Sequence, residues 1–117
     1  MKPDFKNFPS LLTLHFQPAP GQVYADLAGE LAILDSKSGI YYGLDPVGAR
    51  IWSLLLEWKT VGEVRATLLE EYDVAASQLE TDMLHLFDEL FSKGLIEIAS
   101  PDSKPVRSLE ESEPQLR

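Results

Sequence analysis

The stretch GIYYGLDPVGARIW, residues 39–52, changes its hydrophobic period halfway along. The first half alternates as a strand does, with Ile40, Tyr42 and Leu44 on one face and Tyr41 on the other. Beyond it Val47, Ile51, Leu54, Leu55 and Trp58 recur at helical spacing, behind Asp45 as N-cap and Pro46 at the first helical position. The change of period predicts a strand near 39–44 and a helix over about 46–57.

Upstream, QVYADLAGELAILDSKSGIYYGL holds runs of β-branched and aromatic residues separated by AGE and SKSG, which suit hairpin turns with glycine at positive φ. Three antiparallel strands are predicted near 22–27, 31–35 and 39–44. Downstream, Thr60 and Glu63 form a capping box, and Val61, Val64, Leu68, Leu69 and Tyr72 give the second helix its apolar stripe. Ser77 and Glu80 repeat the box for a third helix, which runs to Lys93 and stops at Gly94. The alternation of LIEIA reads as a short final strand or wing. Strands grouped before helices predict an α+β domain.

Residues 21–99 are read as this compact domain, near the small end of what folds alone. Residues 1–20 are read as an irregular N-terminal arm, because Pro3, Pro9, Pro18 and Pro20 interrupt its one alternating run, LLTLHF. Residues 100–117 are polar and punctuated by proline, with too few large apolar side chains to offset the entropy of ordering them, and are read as a disordered acidic tail.

Composition limits the partners. Nineteen acidic residues against 10 basic ones give a net charge of −9, which repels a phosphate backbone unless basic residues cluster, and they do not. Cysteine is absent, which removes disulfides, thiolate metal sites and thiol nucleophiles. No signal-like N-terminus and no run of 18 apolar residues occurs in the sequence, so a cytoplasmic protein without membrane contact is expected.

Helix three carries more apolar surface than one seam needs. At about 100° per residue, Leu79, Met83, Leu86 and Leu90 fall in a narrow arc that reads as the core seam. Leu84, Phe87 and Phe91 form a second arc displaced around the same helix. Two readings stand: the helix packs between two neighbours, or the second arc lines a groove for another molecule. In the second reading the third strand is the opposite wall, and at a sheet edge its unpaired backbone would accept an extended peptide as an added strand.

GELAILDSKSGIYYGLDPVGARIW, followed by TVGEVRATLLEEYDV and LETDMLHLFDELFSKGLIEI, closely resembles the PqqD-like proteins. These are the leader-peptide recognition elements of pathways that modify ribosomally made peptides, including the stand-alone forms of lasso-peptide pathways. The likeness spans about residues 22–98, and its most specific part is G-x-Y-Y-x-L-x-x-x-G-x-x-I-W from Gly39 to Trp52. The resemblance implies a winged helix-turn-helix-like fold with an N-terminal three-stranded sheet and no catalysis of its own; no cofactor and no metal are expected. It also implies that a precursor's leader lies along the third strand and against the third helix, at Ile40, Tyr41, Tyr42 and Leu44 and at Leu84, Phe87, Asp88 and Phe91. Asp45 stands where relatives often have Asn, an equally good cap. The arm and the tail fall outside the likeness.

The expected function is therefore that of an adaptor, which binds the leader by strand addition and presents the precursor to a separate maturation enzyme such as a leader peptidase. If Phe87 lines the groove, its truncation weakens leader binding; if truncation unfolds the chain, Phe87 is core. Three rival readings compete with it. A winged-helix transcription regulator needs Arg or Lys on its reading helix, whereas 77–93 carries Glu80, Asp82, Asp88 and Glu89 against Lys93 alone. Only His15 and His85 are available as imidazole bases for an enzyme, and no nucleophile elbow, phosphate loop or zinc motif occurs. Asp82, His85 and Glu89 share a helix face at a spacing that suits a divalent metal, but a solvated polar face explains them as well. A homodimerisation domain is the third rival, since apolar grooves also pair with themselves.

Overall fold

The computed structural model describes residues 3–28 and 30–99. A short 3-10 helix at Phe8–Leu11 leads into β1 (His15–Pro18), then β2 (Gln22–Leu27), β3 (Glu30–Asp35) and β4 (Tyr41–Leu44). The helices α1 (Pro46–Leu56), α2 (Val61–Glu71) and α3 (Ala76–Ser92) follow, and β5 (Ile96–Ala99) ends the described chain. The predicted α+β order is present: β2, β3 and β4 form one antiparallel three-stranded sheet in that spatial order, ahead of three helices.

The predicted change of period at Leu44–Asp45 has a concrete cause. Asp45 accepts from the Gly48 N–H at 2.8 Å, and Pro46 occupies the first turn, where a missing N–H costs nothing. A Cβ on Gly48 would lie 3.2 Å from the Leu44 Cβ, tighter than an ordinary contact, so glycine lets α1 turn closely over the end of β4 without displacing Leu44. In the preceding turn, Gly39 takes φ +77°, as the SKSG pattern predicts. The Asp35 carboxylate accepts from the Lys37 N–H and the Ser38 hydroxyl, and the Ser38 oxygen in turn accepts from the Ile40 N–H. The equivalent glycine of the AGE turn, Gly29, lies outside the described residues.

The Thr60–Glu63 capping box forms in both directions. The second expected box does not: α3 starts at Ala76 behind Ala75, without a side-chain cap. Ser77 sits inside the first turn, and Glu80 instead pairs with Arg65 of α2 at 2.7 Å. An ion pair to the neighbouring helix has taken the carboxylate that a capping box would use. Gly94 ends α3 at φ +74°, the left-handed position expected of it.

The segment read as an irregular arm over 1–20 carries regular structure and core. β1 pairs antiparallel with β5, Phe16 opposite Ile98, which gives the final strand its partner. Phe8, Leu11 and Phe16 are buried, and the Leu14 and Leu12 carbonyls accept from Val61 N–H at 3.0 Å and Gly62 N–H at 2.9 Å. The arm thus satisfies two N–H groups of α2 that no intrahelical carbonyl reaches. The tail over 100–117 lies outside the described residues.

Phe16 also resets the core seam of α3. Its ring stacks on Phe87 at 5.1 Å, and Phe87 is wholly enclosed. The buried stripe is therefore Leu79, Met83, Phe87 and Leu90, not the predicted Leu79, Met83, Leu86 and Leu90. The seam has rotated toward the side that β1 covers, leaving Leu86 on its opposite flank. These residues pack with Leu31, Ile33 and Leu44 of the sheet and with Ile51, Trp52, Leu54, Val64 and Leu68 in a single core.

Candidate functional site

β4, the third strand of the sequence reading, is an edge of its sheet, and its far side pairs with no strand among the described residues. The register decides which backbone groups that edge offers. The Asp35 N–H donates to the Ile40 carbonyl at 2.9 Å, so this is a hydrogen-bonded pair, and the Ile33–Tyr42 and Leu31–Leu44 pairs two and four residues along share its parity. The N–H and C=O groups of Tyr41 and Gly43 consequently point outward, whereas those of Tyr42 are committed to β3.

Beside this edge lies an open cleft of ≈ 590 Å³, walled by Tyr42 and Leu44 of β4, Val47 and Ile51 of α1, and Asp82 and Leu86 of α3. A smaller hollow of ≈ 220 Å³ shares Gly43, Leu44 and Asp45 and adds Glu30 and Tyr41. Strand and helix run past one another: Leu44 and Asp45 face Asp82 and Leu86, while Tyr42 reaches the later turns of α3, where its hydroxyl donates to Glu89. The Lys93 ammonium stands 6.0 Å from the centre of the Tyr42 ring. Partial burial, and then the hydrogen bond and the negative charge of Glu89, push the Tyr42 phenol up to about 12.

The sequence-predicted residues divide over this geometry. Ile40 and Tyr41 are 54% and 64% exposed and stand on the edge itself. Tyr42 is half-buried and lines the cleft, and Leu44 lines its floor with only 5% exposure. Of the four residues named on α3, none lines the cleft. Phe87 is core, which corrects its expected place in a groove. Phe91 packs on Phe5 at 5.7 Å, on the flank covered by the N-terminal segment. Leu84 is partly buried against the core, and Asp88 accepts from Ser92 at 3.2 Å.

The wall facing β4 is instead the Asp82–Leu86–Glu89 flank of α3. Spacing alone puts Leu86 in the core seam and Asp82 and Glu89 on a face that suits solvent or a divalent metal. No group of three His, Cys, Asp or Glu side chains placed to hold a metal occurs among the described residues. The signal in the sequence for this flank was Leu86, which falls on the same helix face as Asp82 and Glu89.

Comparison with known proteins places this geometry. Residues 30–96 match the family described as coenzyme PQQ synthesis protein D (PqqD). No curated protein sequence matches the chain. Among solved structures, TbiB1 in complex with the TbiA(beta) leader peptide is similar at 36% identity and a TM-score of 0.66, covering 69% of this chain and 94% of that one. A lasso peptide synthetase B1 complexed with the leader peptide is similar at 28% identity and a TM-score of 0.66, covering 71% of this chain and 98% of that one. With its signature strand-to-helix hinge, its open edge and a match over more than half its length, this chain belongs to the PqqD family.

Proposed function

We propose that this protein is a non-catalytic adaptor that takes the leader segment of a ribosomally made precursor as an added strand on β4 and presents the precursor to a separate maturation enzyme. One observation carries the reading: an unpaired strand edge, with the outward groups of Tyr41 and Gly43, runs alongside a cleft large enough for side chains of the guest. The similarity to two proteins described in complex with leader peptides supports it.

Backbone pairing supplies binding that tolerates many guest sequences, and the cleft between Leu44, Ile51 and Leu86 selects an apolar anchor. Each anchor buried contributes about 1.5–3 kcal/mol before ordering costs, so two or three contribute about 3–9 kcal/mol and reach micromolar affinity only together with the backbone pairing. A bound leader keeps the remainder of the precursor at high effective concentration near a docked enzyme, without chemistry in this chain.

The test is an amide NMR titration with the leader region of the precursor encoded beside this protein. Shifts are expected at Tyr41–Asp45 and on the Asp82–Glu89 face of α3. Saturable binding with shifts confined to α2 or to the β1–β5 pair overturns the proposal.

A further inference from the structure

The lining of the cleft specifies the guest more narrowly, provided the leader-binding reading holds. Only Asp45 and Asp82 among its lining residues are acidic or basic, and both are exposed. The adjoining hollow adds the carboxylate of Glu30 and no cation. Asp45 accepts from the Gly48 N–H at 2.8 Å and Asp82 from the Gln78 amide at 2.9 Å; both donors are neutral, so these bonds orient the carboxylates without cancelling their charge.

The opposite end of the cleft differs. There Lys93 stands over the Tyr42 ring, with Glu89 bonded to the Tyr42 hydroxyl. The edge is therefore electrically polar along its length, negative where β4 meets α1 and compensated where β4 begins. Apolar side chains line the same cleft as the two acids, Val47 on α1 and Leu86 on α3. A long side chain with an aliphatic stem and a cationic head satisfies both features, its stem against Val47 and Leu86 and its head at the carboxylates.

We infer that the cleft selects leader segments carrying Lys or Arg next to the apolar anchor, at the end of the guest strand that lies beside Asp45 and Asp82. The net charge of −9 favours the same guests at longer range, by drawing cationic peptides toward the protein.

Two charge-neutralising substitutions test this while leaving the fold intact. Asn caps a helix as well as Asp does, so Asp45→Asn keeps the α1 start; Asp82→Asn keeps an oxygen for Gln78. A yeast-displayed random peptide library is sorted on the unaltered protein and on the double variant, with matched thermal melts confirming that both are folded. Binders to the unaltered protein are expected to be enriched in Lys or Arg beside a large apolar residue. That enrichment should vanish on the double variant, and individual peptides should weaken about 2- to 5-fold per carboxylate removed, the range of exposed ion pairs. Raising the salt concentration should remove most of the difference.

Binders that carry an apolar anchor without basic enrichment, and that hold the double variant equally well, overturn the charge selection while leaving strand addition standing. Binders that are indifferent to a proline at Tyr41, on the outward edge, overturn strand addition itself.

Discussion

The Tyr42 hydroxyl donates a hydrogen bond to the Glu89 carboxylate and so ties the edge strand β4 to the last turns of α3, across one end of the cleft. Because burial and Glu89 both disfavour the phenolate, Tyr42 in the folded protein holds its proton up to about pH 12. An unfolded tyrosine releases it near 10. The stabilisation linked to this proton is complete below about pH 10 and is lost as pH rises from there through about 12, since the unfolded chain then binds fewer protons than the native one. Tyr42→Phe should flatten that alkaline loss. Urea melts of both proteins over this pH range check it, and parallel alkaline slopes would refute the linkage.

The parity of the β3–β4 ladder predicts opposite outcomes for proline at adjacent positions. Tyr41→Pro removes an outward N–H and leaves the native ladder intact, so the chain should stay folded and bind the leader about 5- to 10-fold more weakly, the value of roughly one hydrogen bond. Tyr42→Pro removes a donor committed to Ile33 and should destabilise the sheet itself. Calorimetric titration, with thermal melts alongside, separates loss of binding from loss of fold.

Phe87→Ala should act on stability. Its ring is fully enclosed and stacked on Phe16, so truncation leaves a cavity costing about 3–5 kcal/mol, read as a lower urea midpoint. Leu86→Ala, on the cleft wall, should instead spare most of the stability and weaken leader binding by about 1–3 kcal/mol. A stable Phe87→Ala protein that no longer binds would reverse this division.

Removing residues 1–18 should abolish cooperative folding. The deletion strips β5 of its partner, exposes Phe87 and Phe91, and takes the carbonyl acceptors from the Val61 and Gly62 N–H groups. Circular dichroism melts of the truncated and full chains decide it; a sharp transition near that of the full chain would show the segment to be dispensable.

Local rules made much of this architecture legible. Gly39, Asp45 and the Thr60–Glu63 box act within a few residues of themselves, so their patterns name the turn, the cap and the helix start directly. The signature around the hinge is legible for the same reason, since Leu44, Gly48, Ile51 and Trp52 build the bend and its packing. What the pattern hid was long-range. β5 is specified by a strand about 80 residues earlier, in a proline-rich segment whose alternation is too short to stand out, and that strand's Phe16 decides which face of α3 is buried. Once the seam is displaced, Leu86 and Phe87 exchange the roles their spacing alone suggests. The edge strand of the candidate site was readable from the sequence, whereas the helix flank facing it depended on a contact no local rule contains.

The turn before β4 is pinned by Asp35, Ser38 and Gly39, and the strand itself is moored to α3 through Glu89. A dock already this stiff has little motion left to surrender when a visitor arrives, so nearly all the freedom lost on encounter belongs to the incoming chain. Affinity should then respond more to stiffening the visitor, by a well-placed proline or a macrocyclic linkage, than to any further bracing of the host.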